Sequence, residues 1–210
     1  MATIVGISGP SCTGKTTLAG LLSSRFNNNP DVVVLEDFKD EVWRDLVSST
    51  SFSQFEEVYS DRDYLMMYCS KCIIRYKSLI KEYKGAPEEI TVIMDGTHID
   101  LLIYMMLQFW YHYPSHELLG QLVSDTLALR DMIDVIYMTK EDDERYDPTK
   151  SKSLRQRMTD FKRSRSLEVS YYDMFGKLNN VVLLSADVSL GEYEVVNDLI
   201  SKGYVREEVN

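Results

Sequence analysis

Residues Gly9-Pro10-Ser11-Cys12-Thr13-Gly14-Lys15-Thr16 fit the pattern G-x-x-x-x-G-K-[ST] without a mismatch. The context matches as well: a β-rich run, Thr3–Ser8, precedes the loop, and Lys15–Phe26 follows with Leu18, Leu21, Leu22 and Phe26 on one helical face. Strand, glycine loop and helix together predict a phosphate-binding turn. Gly9 and Gly14 permit the backbone dihedrals that point several N–H groups inward as an anion nest. The helix beginning near Lys15 adds its positive dipole end. Lys15 brings a mobile ammonium to terminal phosphates, and the Thr16 hydroxyl is placed to ligate Mg²⁺. The candidate nucleotide-binding set is therefore Gly9, Ser11, Cys12, Thr13, Gly14, Lys15, Thr16 and Thr17.

Four further β-rich runs punctuate the chain at Val32–Glu36, Ile90–Asp95, Ile133–Met138 and Val181–Ser185. All five are continuous apolar runs, as expected of parallel strands buried on both faces. Helical patterns separate them at Asp61–Tyr83, Ile99–Tyr111, Ser115–Leu129, Leu154–Phe175 and Glu192–Ile200. The first of these sets Leu65, Tyr68, Cys72, Arg75, Leu79 and Tyr83 along a stripe. This alternation predicts an α/β doubly wound five-stranded parallel sheet flanked by helices, read as a single domain over 1–210. Long loops are expected at Asp37–Ser60 and Thr139–Ser153; an acceptor-binding insertion is placed at about 37–70 and a lid at about 140–165.

The net charge of −10 argues against nucleic acid as the main partner, because phosphate-backbone affinity rests on lysine and arginine. Three cysteines, Cys12, Cys69 and Cys72, form no disulfide framework. The N-terminus lacks the basic start of a signal peptide, and Leu101–Tyr113, the most apolar stretch, is too short to span a bilayer of ~20 residues. A cytoplasmic protein without a membrane partner is the expectation. A homodimer is compatible with the sequence and not specified by it.

Strand ends supply the remaining candidates. Glu36 and Asp37 follow the second strand and Asp95 ends the third. In such a sheet these carboxylates lie near the phosphate loop, where one can accept a proton from an attacking hydroxyl and another can support Mg²⁺. Asp95 is thus a candidate catalytic and metal residue beside Thr16, and Glu36 or Asp37 a candidate base. Between Lys150 and Arg165 stand seven basic residues and one acid, Asp160. Arg155, Arg157, Arg163 and Arg165 are read as a cationic lid over the phosphates; the competing reading is a solvated helix face.

Thr139-Lys140-Glu141-Asp142 and Ser185-Ala186-Asp187 resemble guanine-reading elements, but the D-x-x-G of GTPases is missing, since Asp95 is followed by Gly96-Thr97-His98. Cys69 and Cys72 lie within a helix and read as packing residues. His112 and His116 flank Pro114, which breaks the helix that would align them.

The phosphate loop, the segment Asp95-Gly96-Thr97-His98-Ile99-Asp100 and the basic run resemble P-loop small-molecule kinases. The nicotinamide-riboside-kinase-like branch is nearest, on Asp95-Gly96-Thr97 and Asp100-Leu101-Leu102-Ile103-Tyr104. Deoxynucleoside and thymidylate kinases come next, through Glu36, Trp43 and Arg163-Ser164-Arg165-Ser166-Leu167-Glu168. Gly96 departs from both, because those kinases carry Arg there in an Asp/Glu-Arg motif. The resemblance implies an ATP- and Mg²⁺-dependent kinase acting on a small-molecule nucleoside or nucleotide acceptor. Phe38, Trp43, Tyr59, Arg62, Tyr64, Met67 and Tyr68 are the residues expected around that acceptor. The alternatives are a GTPase-like switch or binding module, and a kinase acting on a modified base in DNA.

Overall fold

The computed structural model describes residues 2–10, 13–48, 62–85, 89–112, 116–140 and 161–206. Five strands pair in parallel in the order β2-β3-β1-β4-β5: β1 Thr3–Ser8, β2 Val32–Leu35, β3 Thr91–Asp95, β4 Val135–Met138 and β5 Val181–Leu183. The predicted sheet is the observed one, with strand ends trimmed by one or two residues.

Burial along the strands follows the pleat. Ile4, Val92, Met94, Ile136 and Met138 enter one apolar layer. Val5, Ile7, Ile93, Val135 and Tyr137 enter the other. Successive side chains point to opposite faces, so a strand covered on both sides must be apolar throughout. The three central strands meet that demand; β2 and β5, at the edges, are only partly buried.

One face is covered by α1 (Lys15–Arg25) and the last helix, α7 (Val188–Ser201). Leu18, Ala19 and Leu22 of α1 meet Val195, Val196 and Leu199 of α7 within one cluster. The other face carries α3 (Arg62–Lys84), α4 (His98–His112) and α6 (Phe161–Phe175), with α2 (Lys39–Ser48) and α5 (His116–Leu127) alongside. Among the described residues no helix is long and apolar enough to cross a membrane.

Three sequence expectations change. The loop predicted at Asp37–Ser60 begins with a helix, α2. Asp37 Oδ1 accepts the Lys39 backbone N–H (2.9 Å) ahead of its first turn, and Phe38, Val42 and Leu46, spaced by four, face the core. In α3 Tyr76 joins the buried stripe, fully enclosed, while Arg75 is exposed. The last helix starts at Val188, not Glu192, because the Asp187 carboxylate caps the N–H groups of Ser189 and Leu190.

Candidate active site

The site lies at the carboxyl edge of the sheet, where β1, β2 and β3 end side by side. β1 delivers Ser8 into the phosphate loop. Gly9 has φ 144°, and a Cβ there would stand 2.1 Å from Thr139 Oγ1 and 2.7 Å from the Thr139 carbonyl. Only glycine lets the loop lie this close to the end of β4. Thr139 completes the brace: its N–H donates to the Ser8 carbonyl (2.9 Å), and its hydroxyl lies 2.6 Å from that of Thr13. This bracing occupies the first residue of the guanine-reader-like Thr139–Asp142, whose Asp142 lies outside the described residues, as do Ser11 and Cys12.

Lys15 Nζ donates to the carbonyls of Gly9 (2.7 Å) and Pro10 (3.0 Å) and stands 3.8 Å from Asp100 Oδ1. Its ammonium thus spans the loop mouth. Thr16 and Thr17, in the first turn of α1, are exposed. The Thr16 hydroxyl hydrogen-bonds the carboxyl of Asp95, which is itself buried at the end of β3. Burial pushes the Asp95 carboxyl above its ordinary range. The Thr16 bond opposes this, the Asp37 charge adds to it, and Lys39 and Lys15 pull it back.

Asp37 and Glu36, not separated by the sequence, occupy different surroundings. Both are exposed just past β2, and Asp37 is the one tied to the site, with Oδ2 3.1 Å from Lys39 Nζ. Lys39 is a site residue that the sequence analysis did not select. Burial alone would lower its pKa, but its coupling to Tyr76 and the charges of Asp37 and Asp100 outweigh that and hold it well above the ordinary lysine value.

Asp100, noted earlier only within a motif, is the hub beneath the loop. Oδ2 accepts from Ser8 Oγ (2.8 Å) and the Thr97 N–H (2.7 Å), and Oδ1 accepts from the Tyr172 hydroxyl (2.8 Å). Burial would raise its pKa, yet Lys15, Lys39, Tyr172 and Thr97 together hold it below the usual carboxylate range. Its position comes from a local signal. Thr97 Oγ1 accepts the Ile99 N–H (3.1 Å) while Asp100 accepts that of Thr97, a reciprocal cap at the start of α4. The pattern Thr97-x-x-Asp100 was there to be read; the contacts to Ser8 and Tyr172 were not.

The acceptor-side candidates scatter. Phe38 is buried edge-on against Tyr76 (centroids 4.6 Å apart), and Tyr68 is buried against Tyr104 (5.6 Å). Met67 is exposed. The side chains of Trp43, Arg62 and Tyr64, and Tyr59 entirely, lie outside the described residues. So do Arg155 and Arg157, while Arg163 and Arg165 fall on α6 with side chains not described. Cys69 and Cys72 are buried unpaired thiols; burial pushes Cys72 up to about 12. α4 ends at His112 and α5 begins at His116, on either side of Pro114.

A phosphate loop braced on an all-parallel 2-3-1-4-5 sheet, with carboxylates at the neighbouring strand ends, defines a P-loop domain with the fold of the nucleoside and nucleotide kinases. A family model described as AAA domain matches residues 4–173, and the chain belongs to that family. No curated protein matches the sequence. Among solved structures, the deoxyadenosine kinase of M. mycoides with bound dCTP is similar at a TM-score of 0.64 and 14% identity, over 95% of this chain and 100% of that one. Thymidylate kinase of Candida albicans is similar at 0.61 and 13%, over 100% and 97%. The NadR protein in complex with NR is similar at 0.58 and 18%, over 100% of this chain and 52% of that one. The branches named from the sequence recur here as fold relatives.

Proposed function

We propose that this protein is a phosphotransferase that moves the γ-phosphoryl group of ATP to a nucleoside- or nucleotide-sized acceptor, with Mg²⁺ as cofactor. One observation carries the reading: Lys15, the Thr16–Asp95 contact and Asp37 converge at one sheet edge. The loop fits a triphosphate. Its close approach to Thr139 leaves no room for a side chain at Gly9, and Lys15 holds an ammonium at its mouth. Thr16 and Asp95 are hard oxygen donors already in contact, which suits Mg²⁺. Mg²⁺ commonly takes one or two carboxylates and draws its remaining ligands from phosphate and water, which one carboxylate and one hydroxyl here would match.

When bound, Mg·ATP supplies the phosphoryl group and neutralises the charge that develops on it. The protein's residues position and deprotonate. Asp37 is the better candidate base, since its charge reaches Asp95 and its carboxylate pairs with Lys39. Asp37 is held by its own helix start and by Lys39, which fixes the carboxylate before an acceptor arrives. Arg155, Arg157, Arg163 and Arg165 are proposed to close over the phosphates.

The test is acceptor-dependent ADP release across a panel of nucleosides, nucleotides and nicotinamide riboside, with Lys15→Ala as control. We expect at least one acceptor to raise the rate ~100-fold or more, and the Lys15 variant to abolish it. An ATPase rate indifferent to every acceptor would sink the reading.

A further inference from the structure

Lys15 carries the ammonium that a phosphate loop offers its ligand, and in this fold that ammonium is engaged. It donates to the carbonyls of Gly9 (2.7 Å) and Pro10 (3.0 Å), and it stands 3.8 Å from Asp100 Oδ1. The two carbonyls are neutral acceptors on the loop itself. Asp100 is a full charge, buried beneath the loop and kept ionised. A buried carboxylate attracts an ammonium more strongly than a carbonyl does, because little water screens the pair. Asp100 is therefore the group that competes with a triphosphate for Lys15. Yet the pair is not closed. An ammonium in contact with a carboxylate sits about 2.8 Å away, roughly 1 Å nearer than Lys15 does.

The gap is held by the occupancy of the carboxylate. Oδ2 takes the Ser8 hydroxyl (2.8 Å), the Thr97 N–H (2.7 Å) and, more weakly, the Thr97 hydroxyl (3.2 Å). These donors come from the ends of β1 and β3 and are fixed by the sheet. Oδ1, the oxygen paired with Lys15, takes the Tyr172 hydroxyl at 2.8 Å and, among the described residues, no other hydrogen-bond donor. That hydroxyl fills one lone-pair direction of Oδ1 and offsets part of its charge. Tyr172 reaches it from α6, in another layer of the fold, and is itself buried, so its hydroxyl has no route to solvent instead.

We propose that Tyr172 is a positioning residue of the nucleotide site: its hydroxyl, seated on Asp100 Oδ1, keeps Lys15 out of contact with Asp100 and so leaves the ammonium for the β- and γ-phosphates of a bound triphosphate. This rests on the phosphate-loop part of the kinase reading above. Without the phenol, Lys15 is the nearest cation to an oxygen that has lost its donor, and the ammonium closes on it. The triphosphate then has to break a contact ion pair before Lys15 reaches it. Tyr172 touches no phosphate and acts through Asp100.

The experiment measures Mg·ATP binding to the full chain by calorimetry for the wild type, Tyr172→Phe, Asp100→Asn and the double variant, each first shown to be folded by circular dichroism. Phenylalanine keeps the ring in its layer and removes only the hydroxyl. Tyr172→Phe is expected to weaken ATP binding ~10-fold, as for one lost hydrogen bond to a charged group. In the Asp100→Asn background no charge is left to capture Lys15, and the same change should alter the affinity by less than ~2-fold. Lys15→Met gives a second background that leaves the buried hub intact. With no ammonium to capture, Tyr172→Phe should again change the affinity by less than ~2-fold. A loop merely loosened by the substitution would lose affinity in every background, and that result overturns the inference. So does a Tyr172→Phe protein that binds ATP as the wild type does. Either result leaves the kinase reading standing, whereas a wild-type chain that binds no ATP overturns both.

Discussion

Asp100→Asn tests the hub beneath the phosphate loop. Asparagine keeps the shape but loses the charge, and its NH₂ faces a donor where a carboxylate oxygen accepted. Four donors reach the carboxylate: Ser8 Oγ, the Thr97 N–H, the Thr97 hydroxyl at a longer 3.2 Å, and the Tyr172 hydroxyl. A hydrogen bond to a charged group is worth about 1.5–3 kcal/mol and one between neutral groups about 1, so weakening this set costs about 3 kcal/mol. Removing one member of a buried ion pair costs about 3–5 kcal/mol, but Lys15 keeps the Gly9 and Pro10 carbonyls, which places this case at the lower end. An expectation of about 3 kcal/mol leaves a folded protein, given the usual 5–15 kcal/mol of total stability (about).

Urea unfolding followed by circular dichroism is the assay. With a slope of about 2 kcal/mol/M the midpoint should fall by about 1.5 M at unchanged slope. Tyr172→Phe separates a hub from a set of independent contacts. Alone it should cost about 2 kcal/mol, and in the Asp100→Asn background less than about 1, a coupling of at least about 1 kcal/mol. A midpoint shift below about 0.3 M, or additive single effects, would refute the assignment.

Other outcomes follow from the same geometry. Burial, with a contribution from Arg130 and against that of Asp100, lowers the pKa of His98 from 6.5 to about 4, and its buried Nδ1 has no partner among the described residues. Because the unfolded chain takes the proton first, the stability due to neutral His98 is complete above pH 6.5 and is lost as pH falls toward 4, by about 3 kcal/mol in all. His98→Gln should flatten the urea midpoint across that window; an unchanged pH slope counts against it. Gly9→Ala, which drives a Cβ into Thr139, should weaken ATP binding at least ~10-fold by calorimetry as the loop leaves β4; wild-type affinity would show that the loop has slack. Tyr76→Phe removes a buried hydroxyl that has no hydrogen-bond partner among the described residues, and should leave stability unchanged or raise it by about 1 kcal/mol; a loss above that would mean the hydroxyl is already satisfied inside the protein.

What the sequence made legible was whatever depends on neighbours in the chain. The phosphate loop needs eight contiguous residues to set its dihedrals and start its helix, and the strands needed only apolar runs of the right length. Asp100 depends on Ser8, 92 positions earlier, and on Tyr172, 72 positions later, separations that no local pattern reports. Helix α2 escaped because its apolar stripe, Phe38, Val42 and Leu46, is short and set in a polar, acidic stretch.

Gly96 shows the difference most directly. In the sequence it is a missing arginine, a departure from the deoxynucleoside and thymidylate kinases that removes a cation from the end of β3. In the fold the missing side chain is the space in which Lys39 and Tyr76 converge. The cation beside Gly96 comes from the turn after β2 and not from the end of β3, and that origin sets its electrostatics. An arginine at position 96 would stand one residue from Asp95. Lys39 follows Asp37 by two residues, with its ammonium on one oxygen of that carboxylate and its own N–H on the other. A cation held this way by its own turn is suited to orienting the Asp37 carboxylate, the role a candidate base needs from its neighbour.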